Sequence, residues 1–149
     1  NKWEGLDEET RDRVKRDYAR KLNFLGFARV HYISALKGAG LPAVLKSLDT
    51  AYAAAMAKLS TPRLTRMLID AVGRQQPPRA GLVRPKLRYA HQGGSNPPLI
   101  VIHGNALNHI PDSYRRYLER CFVEAFALEG TPLRVQFKQG RNPYAERDR

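Results

Sequence analysis

Two short segments carry residue types that could do chemistry together. Asn1-Lys2-Trp3-Glu4 places an amide, a long cationic stem and a carboxylate within four residues, and Ser34-Ala35-Leu36-Lys37 supplies a loop of mostly small residues later in the chain. An Asn-Lys-x-acid loop suits guanine. The acid can accept from both the ring N–H and the exocyclic amine, the lysine stem can lie along the base, and the asparagine can tie neighbouring loops together. A Ser-Ala-Lys type loop can then offer a backbone N–H to the guanine carbonyl. Alone, each segment reads better as a polar terminus or an ordinary turn. The joint occurrence, with a helix and a strand expected between them, is what carries the reading, because α/β sheets place ligands in the loops that follow their strands.

The elements that must position these loops follow from pattern. Asp7-Glu8-Glu9 precedes Val14, Tyr18, Leu22 and Leu25, which predicts a helix over roughly 7–22 with acids in its first turn and Gly26 as its break. Ala28–Ile33 has the β-branched and aromatic content of a strand, 34–40 reads as a loop, and the Ala- and Leu-rich stretch 41–59 reads as a second helix with Pro42 in its first turn. This order fits the tail of a doubly wound α/β sheet. Thr61-Pro62 opens another helix carrying Leu64, Met67, Leu68 and Val72, with Gly73 as its stop, and Gln76–Gly81 forms a linker. Leu87, Tyr89 and His91 alternate with Lys86, Arg88 and Ala90 as in a half-buried strand. Leu99–His103 gives a second strand, and a Gly/Pro-rich turn between the two predicts an antiparallel hairpin. Pro111-Asp112-Ser113 starts a long helix whose inner face holds Tyr114, Tyr117, Leu118, Cys121, Phe122, Ala125 and Phe126, closed by Gly130; Leu133, Val135 and Phe137 alternate in a last strand.

The 149 residues hold one domain, or a small domain and part of another. With 26 Lys and Arg against 14 Asp and Glu the net charge is +12, which directs attention to a phosphate-rich partner. Residues 1–58 hold 11 basic and 7 acidic side chains, a net of +4, and residues 59–149 hold 15 and 7, a net of +8. The single cysteine, Cys121, excludes an internal disulfide, no Cys/His cluster offers a metal site, and no apolar run reaches the ~20 residues of a membrane span. A reducing, cytoplasmic setting is expected. The chain begins without Met, and its first residues read as the end of a strand, as though it were a piece of something longer.

The two loop segments resemble the fourth and fifth motifs of the translation-factor-related GTPases. No G-x-x-x-x-G-K-[ST] occurs in the chain, so the phosphate cradle and the switch segments that phosphoryl transfer needs are missing. The run from a guanine-recognition tail into a helix, a linker and a strand-strand-helix-strand unit resembles the bacterial EngA/Der family. Segments carrying that resemblance are Asn1–Gly5, Ser34–Gly38, Thr61–Thr65, Pro85–Ala90, Ile110–Leu118 and Arg141–Tyr144. Such proteins have two consecutive GTPase domains followed by a KH-like domain, and act in late assembly of the large (50S) ribosomal subunit. The fold so implied is an α/β fragment of a P-loop GTPase domain, residues 1–58, followed by an α+β KH-like domain, residues 59–149, with a three-stranded sheet packed against helices.

By the same resemblance the guanine contacts fall on Asn1, Lys2, Glu4, Ser34, Ala35 and Leu36, with no catalytic residue and no metal ligand in this chain. GTP and GDP, with Mg, belong to the intact parent; none is expected to bind this piece tightly. Glu4 stands where the family has Asp, and its extra methylene weakens the expected grip on guanine. In the KH-like part no two glycines stand three apart, so the GXXG clamp of nucleic-acid-binding KH domains is missing. RNA contact would fall to Lys86, Arg88, Arg134, Lys138 and Arg141, which alternate away from the expected core face. The same residues read equally as solvated strand faces or as docking contacts to the preceding GTPase domains. His91, His103 and His109 are expected to be packing or hydrogen-bonding groups, and Cys121 a buried thiol. Three functions compete: the end of a ribosome-assembly GTPase, a stand-alone basic RNA-binding adaptor without nucleotide chemistry, and a spacer that senses nucleotide state. A strand at 28–33 without sheet neighbours is expected to be displaced or to pair with a second molecule.

Overall fold

The computed structural model describes residues 1–139, so Arg141 and the segment 141–144 lie outside the described residues. Four α-helices, α1 (Glu8–Lys21), α2 (Leu41–Ala55), α3 (Thr61–Arg74) and α4 (Asp112–Phe126), accompany three strands, β1 (Lys86–Gly94), β2 (Leu99–Asn105) and β3 (Arg134–Gln139). Asp7 caps α1 by accepting from Thr10 N at 2.7 Å, and Glu8 and Glu9 at its start and Arg20 and Lys21 at its end complement the helix dipole. α1 ends at Lys21, before Gly26, and a short 3-10 turn spans Asn23–Leu25. α2 stops at Ala55, short of the expected 59, and α3 runs through Gly73 to Arg74.

The sheet has the order β1-β2-β3, with β1 antiparallel to β2 and β2 parallel to β3. The hairpin reading of β1 and β2 is met. α3 packs on β1 and α4 on β3. Between sheet and helices lies one core in which Leu64, Leu68, Ile100, Ile102, Leu118 and Phe122 are wholly buried. Each such side chain stabilises by roughly 1.5–3 kcal/mol relative to exposure. The buried state expected for Cys121 and for the Tyr114 and Phe122 face of α4 is observed. Tyr114 and Tyr117 add polar ties at the end of α3: Tyr114 donates to the Gln75 carbonyl (2.5 Å), just past the helix, and Tyr117 adds a second donor (2.8 Å) to the Ala71 carbonyl, which also accepts from Gln75 N.

Four expectations are corrected. Residues 28–33 form no strand among the described residues; beside them lie the isolated bridge of Ser34 with Ala39 and a single backbone bond from Trp3 N to Ile33 O, and a strand exists only where a neighbour completes its ladder. The chain start, expected as a strand end, is a 3-10 turn over Trp3–Gly5. On β1 the alternation is interrupted: the register shifts between Leu87 and Tyr89, so Leu87 and Ala90 both serve the core, Ala90 being fully buried, while Tyr89 turns outward and is 45 % exposed. α4, too, is closed by Ala127 in the left-handed region (φ 51°), not by Gly130. Gly130 has φ +87° and sits so close to α2 that a Cβ on it would lie 2.6 Å from the Ala51 Cβ.

Candidate functional site

The two loop segments of the first region meet. Asn1 Oδ1 accepts from the backbone N–H of Ala35 at 2.9 Å and from that of Lys2 at 2.8 Å, and Trp3 N donates to Ile33 O at 3.1 Å. Ser34 is buried, and its hydroxyl accepts from Lys37 N at 3.1 Å, which closes the 34–37 turn on itself. Below the loops, the Trp3 and Tyr32 rings lie 4.2 Å apart, and Arg11 sits over Trp3 while donating to its carbonyl at 3.2 Å. These contacts hold the 1–5 and 34–37 segments side by side. Lys2, Ala35 and Leu36 project into solvent, Leu36 being 89 % exposed. Glu4 is half-buried, and its Oε2 is shielded without a hydrogen-bond partner. Hydrogen bonds from its own backbone N–H and from the Ser34 hydroxyl, helped by Lys37, hold its carboxyl below the usual carboxylate range.

A second surface lies on the sheet face turned away from α3 and α4. Lys86 and Arg88 on β1 and Arg134 and Lys138 on β3 are all exposed, and none forms an ion pair with a described carboxylate. Arg88 Nε donates to Asn105 Oδ1 at 3.0 Å, which steadies it beside the β1 bulge. Among these cations stand rings that sequence pattern had assigned to packing. Tyr89 and His103, directly paired across β1 and β2, stack at 4.5 Å with an interplanar angle of 5°, and His91 lies 5.1 Å from His103 at 26°. Burial, then the neighbouring His91 and Lys138, pushes the His103 imidazole below its ordinary value, so it is neutral near pH 7. His109 is exposed on a 3-10 turn. Among the described residues no group of three His, Cys, Asp or Glu could hold a metal ion, and no helix is long and apolar enough to cross a membrane.

Residues 58–138 match the family described as the KH-domain-like C-terminal domain of EngA bacterial GTPase enzymes. The chain belongs to the EngA/Der family. Relatives include the GTPase Der of Bordetella pertussis (strain Tohama I), 66 % identical over 146 residues, or 98 % of this chain and 32 % of the relative. That of Aromatoleum aromaticum (strain DSM 19018) is 65 % identical over 144 residues, 97 % of this chain and 33 % of the relative. That of Ralstonia pickettii (strain 12J) is 64 % identical over 146 residues, 98 % of this chain and 33 % of the relative. The chain thus spans about a third of the length of the curated EngA/Der relatives it matches. The KH-like match covers α3, α4, β1, β2 and all but the last residue of β3, and so contains the basic, ring-bearing face; the loops at Asn1 and Ser34 lie outside it.

Proposed function

We propose that this chain is the C-terminal part of a cytoplasmic GTP-binding protein, a GTPase in its intact form, that acts in late assembly of the large ribosomal subunit. Residues 1–58 are the last part of its second GTPase domain, and residues 59–149 its KH-like domain. Asn1, Lys2 and Glu4 with Ser34, Ala35 and Leu36 recognise guanine, while the KH-like domain meets the preceding GTPase domains and ribosomal RNA. The observation that carries this reading is the bond from Ala35 N to Asn1 Oδ1, which brings together two loops whose residue types complement one base. In the intact protein GTP, held with Mg by residues outside this chain, supplies the scissile phosphate. This chain's own part is to orient the base: Glu4 accepts from its N–H groups, and the Lys2 stem lies along its face.

Turnover and RNA binding test the reading separately. Without a phosphate cradle the purified chain is expected to hydrolyse no GTP and to bind labelled GDP feebly at best; clear hydrolysis overturns the division of labour. If Lys86, Arg88, Arg134 and Lys138 meet phosphates, affinity for a ribosomal RNA transcript falls with salt at a log–log slope of about −3 for unpaired strands. Absence of binding at low salt leaves the KH-like domain a docking element for the GTPase domains alone.

A further inference from the structure

We propose that Tyr89, His91 and His103 form a stacking platform for unpaired RNA bases, with Arg88 and Lys138 placed to take the adjoining phosphates. The proposal rests on the RNA-binding reading above and gives it a binding mode that needs no GXXG loop.

Four observations converge on it. The bulge at 87–89 takes Tyr89 out of the core and sets it on the open face beside Arg88, whereas a plain alternation from Leu87 would have turned Tyr89 inward with it. His103 covers one face of the phenol ring, yet Tyr89 stays 45 % exposed, which leaves its other face able to receive a further ring. The three rings are nearly parallel, with interplanar angles of 5°, 26° and 28°, so a base continues an existing stack. Last, the three strands contain Lys86, Arg88, Arg134 and Lys138 and not one Asp or Glu, and Lys138 is the direct neighbour of His103 across β2 and β3.

That charge pattern selects the occupant. A sheet face whose strands carry four cations, no acid and an exposed aromatic ring complements an anion that carries rings, which is a single-stranded nucleic acid; every base has a face to stack, whatever its identity. A metal does not fit, because the two imidazoles lie stacked at 5.1 Å with no third ligand among the described residues. Duplex RNA does not fit the rings either, since its bases are already stacked on one another.

The test is fluorescence anisotropy with the full chain, labelled oligo(U) and oligo(A), and an RNA duplex of equal length, using Tyr89→Phe, Tyr89→Leu and Lys138→Gln. Tyr89→Phe is expected to bind the single strands like the wild type. Tyr89→Leu should bind them about tenfold more weakly with the salt slope unchanged, while duplex binding stays the same. Lys138→Gln should lower the slope by about 0.7, the share of one phosphate. Upfield shifts of the His91 and His103 ring protons on adding oligo(A) to the unmutated chain give a readout that needs no variant. If Tyr89→Leu binds like the wild type and no ring proton moves, while Lys138→Gln still weakens binding, the platform is overturned and the RNA reading stands. If even the wild type fails to bind at low salt, the RNA reading falls, the platform with it, and the face belongs to a protein partner.

Discussion

Glu119 on α4 reaches β3 and accepts from Val135 N at 3.2 Å, so a carboxylate serves the outer edge of the sheet. Burial is the main influence on this carboxyl and raises its pKa, against the lowering effects of the Val135 N–H, Arg115 and Arg116. The raised value means that the folded state holds its proton more tightly than the unfolded chain does. The associated stability is therefore complete below the ordinary glutamate range and is lost as pH rises through the raised value. Glu119→Gln keeps an acceptor for Val135 and removes the titration. The difference in melting temperature, wild type minus variant, should shrink steadily as pH is raised across the carboxylate range, and a difference that is flat or grows with pH would refute the assignment. Gly104 gives a steric counterpart: a Cβ there would lie 2.0 Å from the Lys86 carbonyl oxygen, across the first rung of the hairpin. Since backbone cannot yield as a side-chain tip can, Gly104→Ala is expected to cost about 3 kcal/mol or more in chemical denaturation. A cost below about 1 kcal/mol would mean that β1 and β2 part there without penalty.

At the scale of elements, the C-terminus of α3 is held by the hydroxyls of two tyrosines on α4. Burial pushes the Tyr114 phenol up to about 12, so it remains a donor throughout the usable pH range. Tyr114→Phe and Tyr117→Phe should each lower stability by about 1 kcal/mol, with unchanged far-UV dichroism, because each removes one hydrogen bond between α4 and the end of α3 while ring packing stays. Two unchanged melting curves would show that water replaces the hydroxyls. The helices were legible in the sequence because their signals are local: the Asp7 cap, Pro62 in the first turn of α3, and the Tyr114–Phe126 face. The hairpin was legible through its turn residues. What escaped was decided by neighbours. Ala28–Ile33 has strand composition but no described ladder, and the outward turn of Tyr89 depends on a one-residue shift against β2 that leaves no mark in the pattern of β1. The two loops at Asn1 and Ser34 could be paired from residue type, whereas the Tyr89–His91–His103 stack could not, since plain alternation on β1 sets Tyr89 and His91 on the face of Leu87.

Across the whole molecule, burial is divided unevenly. Within residues 1–58 only Ser34 and Ala54 are buried, and α2 leaves Leu45, Leu48 and Tyr52 more than 60 % exposed, whereas the wholly buried side chains all lie beyond Leu59. The two regions are joined by few ties. Gly130 N donates to Phe27 O at 2.9 Å, Asn96 N to Ala55 O at 2.9 Å, Gln92 Nε2 to Ala57 O at 2.9 Å, and Arg29 pairs with Glu129 at 2.6 Å. The Arg29–Glu129 pair is about half exposed and so contributes at most ~1 kcal/mol. A region with little buried apolar surface opens at low free energy, while amides in a packed core open only with global unfolding. Hydrogen exchange read by mass spectrometry should therefore show α1 and the amides of 22–40 exchanging orders of magnitude faster than those of β2 and α4, with α2 between them because it borders Gly130 and Asn96. Gly130→Ala, which drives a methyl into Ala51 at a positive φ, should speed exchange in α2 while leaving β2 protected. Equal protection in α1 and β2 would mean that the first region is stabilised as strongly as the KH-like core and folds with it as one cooperative unit. That result would remove the physical ground for reading residues 1–58 as part of a larger α/β domain whose remaining strands would cover Leu45, Leu48 and Tyr52.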